Sequence, residues 1–191
     1  MQQIIILGAG ASGLVCAMQA AAQGHDVLVL DHGSQAGAKI RIAGGGRCNC
    51  TNLLADAAGY LSSNPHFVKS ALARCSPWDV WSLLSGLGIA LVEEDKGRVF
   101  TDLGKKGGRR LARVLYEEAQ RCGARFLLDV SVQDVIHEGG RFLVQLPGER
   151  FAADALVLAL GGRSWPQAGA SDLGCRLAGK FGLPLTPVRP G

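Results

Sequence analysis

The stretch that decides the fold is QIIILGAGASGLVCAMQAAAQGHDVLVLD, residues 3 to 31. QIIIL is a short β-branched run ended by glycine, which reads as a fully buried strand. ASGLVCAMQAAAQG places small and apolar residues at helical spacing, with Gly24 as the stop. DVLVLD, 26 to 31, reads as a second buried strand. Strand, helix and strand within about thirty residues form a βαβ unit, and strands this apolar imply a parallel sheet covered on both faces.

Between the first strand and the helix, Gly8-Ala9-Gly10-Ala11-Ser12-Gly13 matches GxGxxG. The pattern alone is weak, but here it follows a strand and opens a helix. Gly8 allows the tight turn, Gly10 lets backbone approach a pyrophosphate, and Gly13 lets helix and strand pack closely. The helix N-terminus offers free N–H groups and the positive end of a dipole to phosphate. Asp31, 18 residues after Gly13, ends the second strand. Its carboxylate can accept hydrogen bonds from a ribose diol and would repel a 2′-phosphate, which argues against NADP at this site. The unit binds an ADP half and so leaves FAD and NAD both open.

The second informative stretch is GAKIRIAGGGRCNCTN, 37 to 52. It falls in a long loop region, 32 to 63, and loops of that length are usually functional or disordered. Consecutive glycines leave amides uncovered and admit a flat ring or a phosphate. Lys39, Arg41 and Arg47 bring positive charge, and Asn49, Thr51 and Asn52 bring donors. Cys48 beside Arg47 is either an activated thiol or a small buried residue. A third glycine signal closes the strand DALVLAL at Gly161-Gly162, where a doubly wound sheet binds ligands beyond its strand ends.

Composition bounds the rest. The 191 residues suffice for one domain with a sizeable core, and no linker or boundary is evident. Glycine takes 27 positions, about twice its usual share. The net charge of +4 does not by itself imply nucleic acid, yet Lys96 to Arg125 holds nine Lys and Arg against three acids. That segment is either a solvated helix face or a patch for a phosphate-rich substrate. The stretch MQQIIILGAG has no basic n-region, and its apolar run is far too short for a signal h-region or a membrane span. Six scattered cysteines show no zinc spacing, so no metal is expected, and a cytoplasmic chain with reduced thiols is.

Downstream, helices are expected over NPHFVKSALARC (Asn64 as N-cap, Pro65 at N1), SPWDVWSLLSGLG, GKKGGRRLARVLYEEAQRCG and 172 to 181. Strands are expected at IALVEE, GRVFT, RFLLDVSVQDVIHE, RFLVQL, RFAA and DALVLAL, with turns at Gly139-Gly140 and Pro147-Gly148.

Taken together, GAGASG, GAKIRIAGGGRCNCTN and ALVLALGG followed by SWPQAGAS resemble the BaiN/RdsA family of FAD-dependent oxidoreductases, flavoproteins of the two-dinucleotide-binding-domain type. YLSSNPHFVKSALARCSPWD, 60 to 79, is more similar to the YhiN-like branch, assigned as ribosomal RNA dihydrouridine synthases, than to the bile-acid branch. The resemblance implies an α/β, Rossmann-like FAD-binding fold with a β-meander. It implies FAD as cofactor and NAD(P)H as transient electron donor.

By the same resemblance, Gly8, Gly10, Ala11, Ser12, Gly13, Asp31 and His32 hold the ADP part. Lys39, Gly45, Gly46, Arg47 and Asn49 lie along the pyrophosphate or near the isoalloxazine. Val132, on a β-strand, touches the adenine, and Gly161 and Gly162 flank the cofactor. Cys48 is the candidate catalytic residue by proximity in the loop. Lys105, Lys106, Arg109, Arg110 and Arg113 are candidates to meet ribosomal RNA. Family members run to about twice this length. The expectation is therefore that residues 1–191 are the N-terminal portion of the FAD-binding domain, without the inserted domain and the C-terminal segment that closes on FAD. The same comparison leaves open a non-catalytic FAD- or nucleotide-binding module, or half of a split flavoprotein. Arg163 departs from the family, whose members carry an apolar residue after the glycine pair.

Overall fold

Ile, Val and Leu fill both faces of the first two strands, so neither can stand at a solvent edge. In the computed structural model they lie inside a four-stranded parallel sheet. β1 (Gln3–Leu7) and β2 (Asp26–Leu30) flank helix α1 (Ala11–Ala22) in sequence. The sheet is completed by β6 (Arg125–Leu127) and β10 (Ala155–Leu158), in the order β10-β1-β2-β6. Ile4 pairs with Ala155 on one side and Val27 on the other. The chain therefore leaves β1 toward β2 and returns on β1's opposite edge, which makes the carboxyl ends of β1 and β10 a topological switch point.

The structure describes residues 1–62, 64–165 and 169–187. Residues 166 to 168 of SWPQAGAS and 188 to 191 of LPLTPVRPG lie outside the described residues, as does position 63.

The described chain divides into two compact units: Met1–Lys39 with Leu115–Gly191, and Ile40–Val114. No linker marks this division, because its boundaries fall inside helices α2 (Ala38–Ile42) and α5 (Gly107–Arg121).

The first unit holds the parallel sheet and a three-stranded antiparallel meander, β7 (Asp134–Glu138), β8 (Arg141–Leu146) and β9 (Glu149–Ala153). Side chains alternate across a strand. Ile5, Leu7, Leu28 and Leu30 share a buried cluster with Val135, Val144 and Leu146 of the meander and Leu177 of helix α6 (Leu173–Lys180). Ile6, Val27 and Val29 belong to the opposite face and are fully buried. On that alternation Phe126 of β6 also faces away from the cluster, and it stacks edge-on against Tyr116 of α5 at 4.7 Å between centroids. Each such aliphatic side chain contributes about 1.5–3 kcal/mol of transfer free energy.

The second unit holds a small antiparallel sheet, β3 (Thr51–Asn52), β5 (Arg98–Thr101) and β4 (Leu91–Glu94), in the order β3-β5-β4. It also holds α3 (Lys69–Arg74) and α4 (Pro77–Gly86). Ser76 caps α4 with Pro77 in the first turn, as the sequence predicts, and Asp79 completes a reciprocal capping box.

Three local expectations fail. Asn64 does not cap a helix: its Oδ1 accepts from His66 N (3.0 Å), its carbonyl accepts from Phe67 N (3.2 Å), and α3 starts only at Lys69. The long loop is not all loop, because α2 interrupts it, and a helix of five residues is too short to show periodicity. RFLLDVSVQDVIHE is two strands. The break follows Leu127, and Asp129 adopts φ +60°, a left-handed conformation that ends a strand.

Candidate functional site

The GAGASG turn joins β1 to α1, and two of its glycines are demanded by its own backbone. A Cβ on Gly13 would stand 1.8 Å from the Gly8 carbonyl oxygen. One on Gly8, already at φ +107°, would stand 2.4 Å from the Ala159 carbonyl oxygen after β10. Gly10 differs: its φ is −78°, and a Cβ there would meet nothing within 4 Å. Gly10 is also the N-cap of α1, no side chain caps that end, and the first turn carries no acid. The helix N-terminus at Ala11 and Ser12 thus presents its dipole to open space.

Asp31 organises the turn. Its two carboxylate oxygens accept the Ala9 N–H (2.6 Å) and the Gly33 N–H (2.7 Å). Gly37 N donates to Ala9 O (2.8 Å), so the chain after β2 is stitched to the turn twice. Each Asp31 oxygen keeps a further lone pair. Ala9, which sequence reasoning passed over, is 1% exposed and is the residue through which Asp31 acts.

Beside Asp31, at the carboxyl end of β2, lies a pocket of about 270 Å³. Asp31, His32, Val130, Val132 and Arg176 are among its lining residues. Val132 is therefore placed beside Asp31, although it lies in the connection between β6 and β7 and not on a strand. Gly169 packs on the His32 ring: a Cβ there would stand 2.0 Å from Nε2. Asp172 accepts from Arg176 (3.1 Å) and from the unusual Arg163 (3.1 Å). Arg176 was not singled out in the sequence, where only the Asp172–Arg176 spacing on α6 could have signalled it.

Lys39 reaches the glycine pair after β10, donating from Nζ to Gly162 O at 2.9 Å. The first unit thus brings Gly8, Gly10, Gly13, Asp31, His32, Lys39, Val132, Gly161 and Gly162 to the carboxyl side of its sheet.

The remaining expected residues, Gly45, Gly46, Arg47, Cys48, Asn49 and the basic segment, belong to the second unit. Gly46, at φ +92°, lies against the turn before α5: a Cβ would stand 2.7 Å from Lys105 O. Gly45, at φ +67°, faces open space. The Arg47 guanidinium is paired with Glu94 and lies 4.1 Å over the Phe100 ring. With its amide nitrogen turned toward them, Asn49 donates to Thr51 O (2.8 Å) and Val99 O (3.2 Å). Cys48 is 6% exposed and left-handed at φ +56°. The neighbouring Cys50 thiol pulls the Cys48 thiol below its usual range, against the opposing effect of burial. Arg47 is not the cause. Lys105, Lys106, Arg109 and Arg113 are exposed, and Arg110 is half-buried.

This arrangement fits a dinucleotide: a helix end for the pyrophosphate, a carboxylate for the ribose, and a pocket for the base. Among solved structures, glycine oxidase from Geobacillus kaustophilus shares the fold, with a TM-score of 0.64 at 17% identity over 97% of this chain and 60% of that one. The chain is 43% identical over 189 residues to the ribosomal RNA dihydrouridine synthase of Haemophilus influenzae. It is 41% identical over 187 residues to that of Escherichia coli. These alignments cover 97% and 98% of this chain but 46% of each relative, so the chain spans about half the length of the curated proteins it matches. A family model described as the HI0933-like protein Rossmann domain matches residues 2–191, and the chain belongs to that family.

Proposed function

We propose that residues 1–191 are the FAD-binding portion of an oxidoreductase that reduces uridine to dihydrouridine in ribosomal RNA, in the cytoplasm, with NAD(P)H as electron source. One observation carries the cofactor reading: at a switch point of a parallel sheet, Gly10 leaves open space before an uncapped helix N-terminus, next to the Asp31 pocket. The substrate reading rests on the names of the two relatives at 43% and 41% identity. Bound FAD would supply hydride chemistry, which no side chain here provides.

The protein's part is to bind and orient. The α1 N-terminus receives the pyrophosphate charge. Asp31, held by two backbone amides, accepts from ribose hydroxyls and disfavours a 2′-phosphate. Val132 and His32 border the adenine end. Lys39 fixes the Gly161-Gly162 backbone. Cys48 is the candidate proton source for the uracil C5 position, with an acidity raised by Cys50. Lys105, Lys106, Arg109, Arg110 and Arg113 would meet RNA phosphates, each neutralised phosphate adding to the salt dependence.

The test is spectroscopic. Purified protein mixed with FAD and desalted should keep the visible flavin absorption, and NADPH should bleach it without air. A colourless protein that also fails to bind FAD by calorimetry would sink the cofactor reading. A protein that binds FAD but does not bleach would favour a non-catalytic binding module. Replacing Arg109, Arg110 and Arg113 by Gln should weaken ribosomal RNA binding and flatten its salt slope. Unchanged binding would make the segment a solvated face.

A further inference from the structure

We propose that Cys48 and Cys50 are a redox-active dithiol that reacts with low-molecular-weight disulfides, such as oxidised glutathione, to close an intrachain disulfide. The inference rests on the geometry of the pair and is independent of the cofactor reading.

Two Cα steps of about 3.8 Å keep residues i and i+2 within roughly the separation a disulfide spans. Closure then depends on whether the backbone turns the two side chains together. Cys48 is left-handed at φ +56°, a conformation that non-glycine residues rarely adopt and that curls the chain between the two sulfurs. Both backbones are held in place. Cys48 N donates to Ala43 O at 2.9 Å, and Cys50 N donates to Val99 O at 2.8 Å. The Cys50 thiol lies back over the turn, donating to Cys48 O at 3.4 Å. The Cys50 thiol draws the Cys48 thiol below its usual range and is itself pushed up. The pair therefore holds one sulfur ready to ionise beside one that keeps its proton. No other two cysteines of the chain are this close in sequence.

Exposure sets the order of events. Cys48 is 6% exposed, and Cys50 is only partly buried. The reagent meets Cys50 first. Cys48 first ionises to solvent, and as the Cys50 sulfur attacks the external disulfide its proton passes to the Cys48 thiolate. One external thiolate leaves, and a mixed disulfide remains on Cys50. Cys48 then gives that proton to the released thiolate, and its own thiolate attacks Cys50 Sγ and expels the second external thiolate, which takes up the proton given to solvent. One S–S bond is broken and one is made. The cysteine pair loses two electrons and two protons, and both reach the two released thiols. A small ring closed on a left-handed residue is strained, which places the disulfide among the labile, reversible ones.

The experiment equilibrates the protein in buffers of stepped oxidised-to-reduced glutathione ratio, blocks free thiols with iodoacetamide, and maps peptides by mass. As the ratio rises, the peptide carrying both cysteines should lose both alkyl groups together and become lighter by two hydrogens, with no glutathione attached. Cys75, which is exposed, should gain at most a glutathione adduct. A Cys48→Ser protein should instead accumulate a lasting glutathione adduct on Cys50. A Cys50→Ser protein should leave Cys48 reduced. Two alkylated cysteines at every ratio, a persistent adduct on wild-type Cys50, or a disulfide from Cys50 to another cysteine would each overturn the proposal. Wild-type peptide mapping decides the matter even if a variant folds poorly.

Discussion

Two of the chain's glycine clusters serve different ends. In Gly8-Ala9-Gly10-Ala11-Ser12-Gly13, two glycines are consumed by contacts with the protein's own carbonyls, and the third is left facing open space. In Gly44-Gly45-Gly46, all three have positive φ; Gly46 is pressed on the Lys105 carbonyl, and Gly45 is open. Sequence pattern treats the two alike. What separates them is the element that follows: the first cluster opens directly into a helix whose N-terminus is uncapped, whereas the second runs into Arg47, Cys48 and Asn49, each engaged locally.

Six substitutions test that contrast. The largest effect is expected for Gly13→Ala, because the Gly8 carbonyl 1.8 Å away is backbone and cannot rotate aside. The loss should be about 3 kcal/mol or more by urea unfolding. A loss under about 1 kcal/mol would mean that the turn is not packed as described. Asp31→Ala removes a charged acceptor from two amides and should cost about 2–3 kcal/mol. Asp31→Asn should recover part of this, since its carbonyl replaces one acceptor. Recovery of nothing would point to charge, not geometry, as what holds Ala9.

Third, Gly46→Ala should cost about 2 kcal/mol and Gly45→Ala about 1, since only the former adds a clash to the left-handed strain. Equal losses would erase the distinction drawn inside the second cluster. The smallest effect on stability belongs to Gly10→Ala. Its φ of −78° suits alanine, and the lower unfolded-state entropy offsets a poorer N-cap, leaving stability within about 0.5 kcal/mol. Its FAD affinity should nonetheless fall by about tenfold or more, or 1.4 kcal/mol. Unaltered affinity would show that the open space is not where the cofactor passes.

Much of this was legible in the sequence where local and global signals agreed. β1, α1 and β2 announce themselves through buried apolar runs punctuated by glycine, and α4 through Ser76 and Pro77. The meander turns sit at Gly139-Gly140 and Pro147-Gly148 as read. What escaped was decided by partners distant in sequence. Nothing near Arg47 reveals that Glu94 and Phe100 occupy its guanidinium. Nothing near Val132 shows that a left-handed Asp129 has already ended the strand. Asn64 and Pro65 carry the letters of a helix start, but the same side-chain oxygen serves an Asx turn equally well.

The pairing of β1 with β10 has a consequence for biosynthesis. Gln3 N is satisfied by Asp154 Oδ2, 151 positions away, and Ile4 to Leu7 wait for Ala155 to Leu158. Pairing so remote must meet the cost of closing a very long loop before any contact repays it. Until translation reaches β10, Ile4-Ile5-Ile6-Leu7 presents an unpaired, β-branched edge, the kind of template on which nascent chains associate. Within residues 1–191 an early strand is thus completed late, and during that interval its edge stays open to other chains.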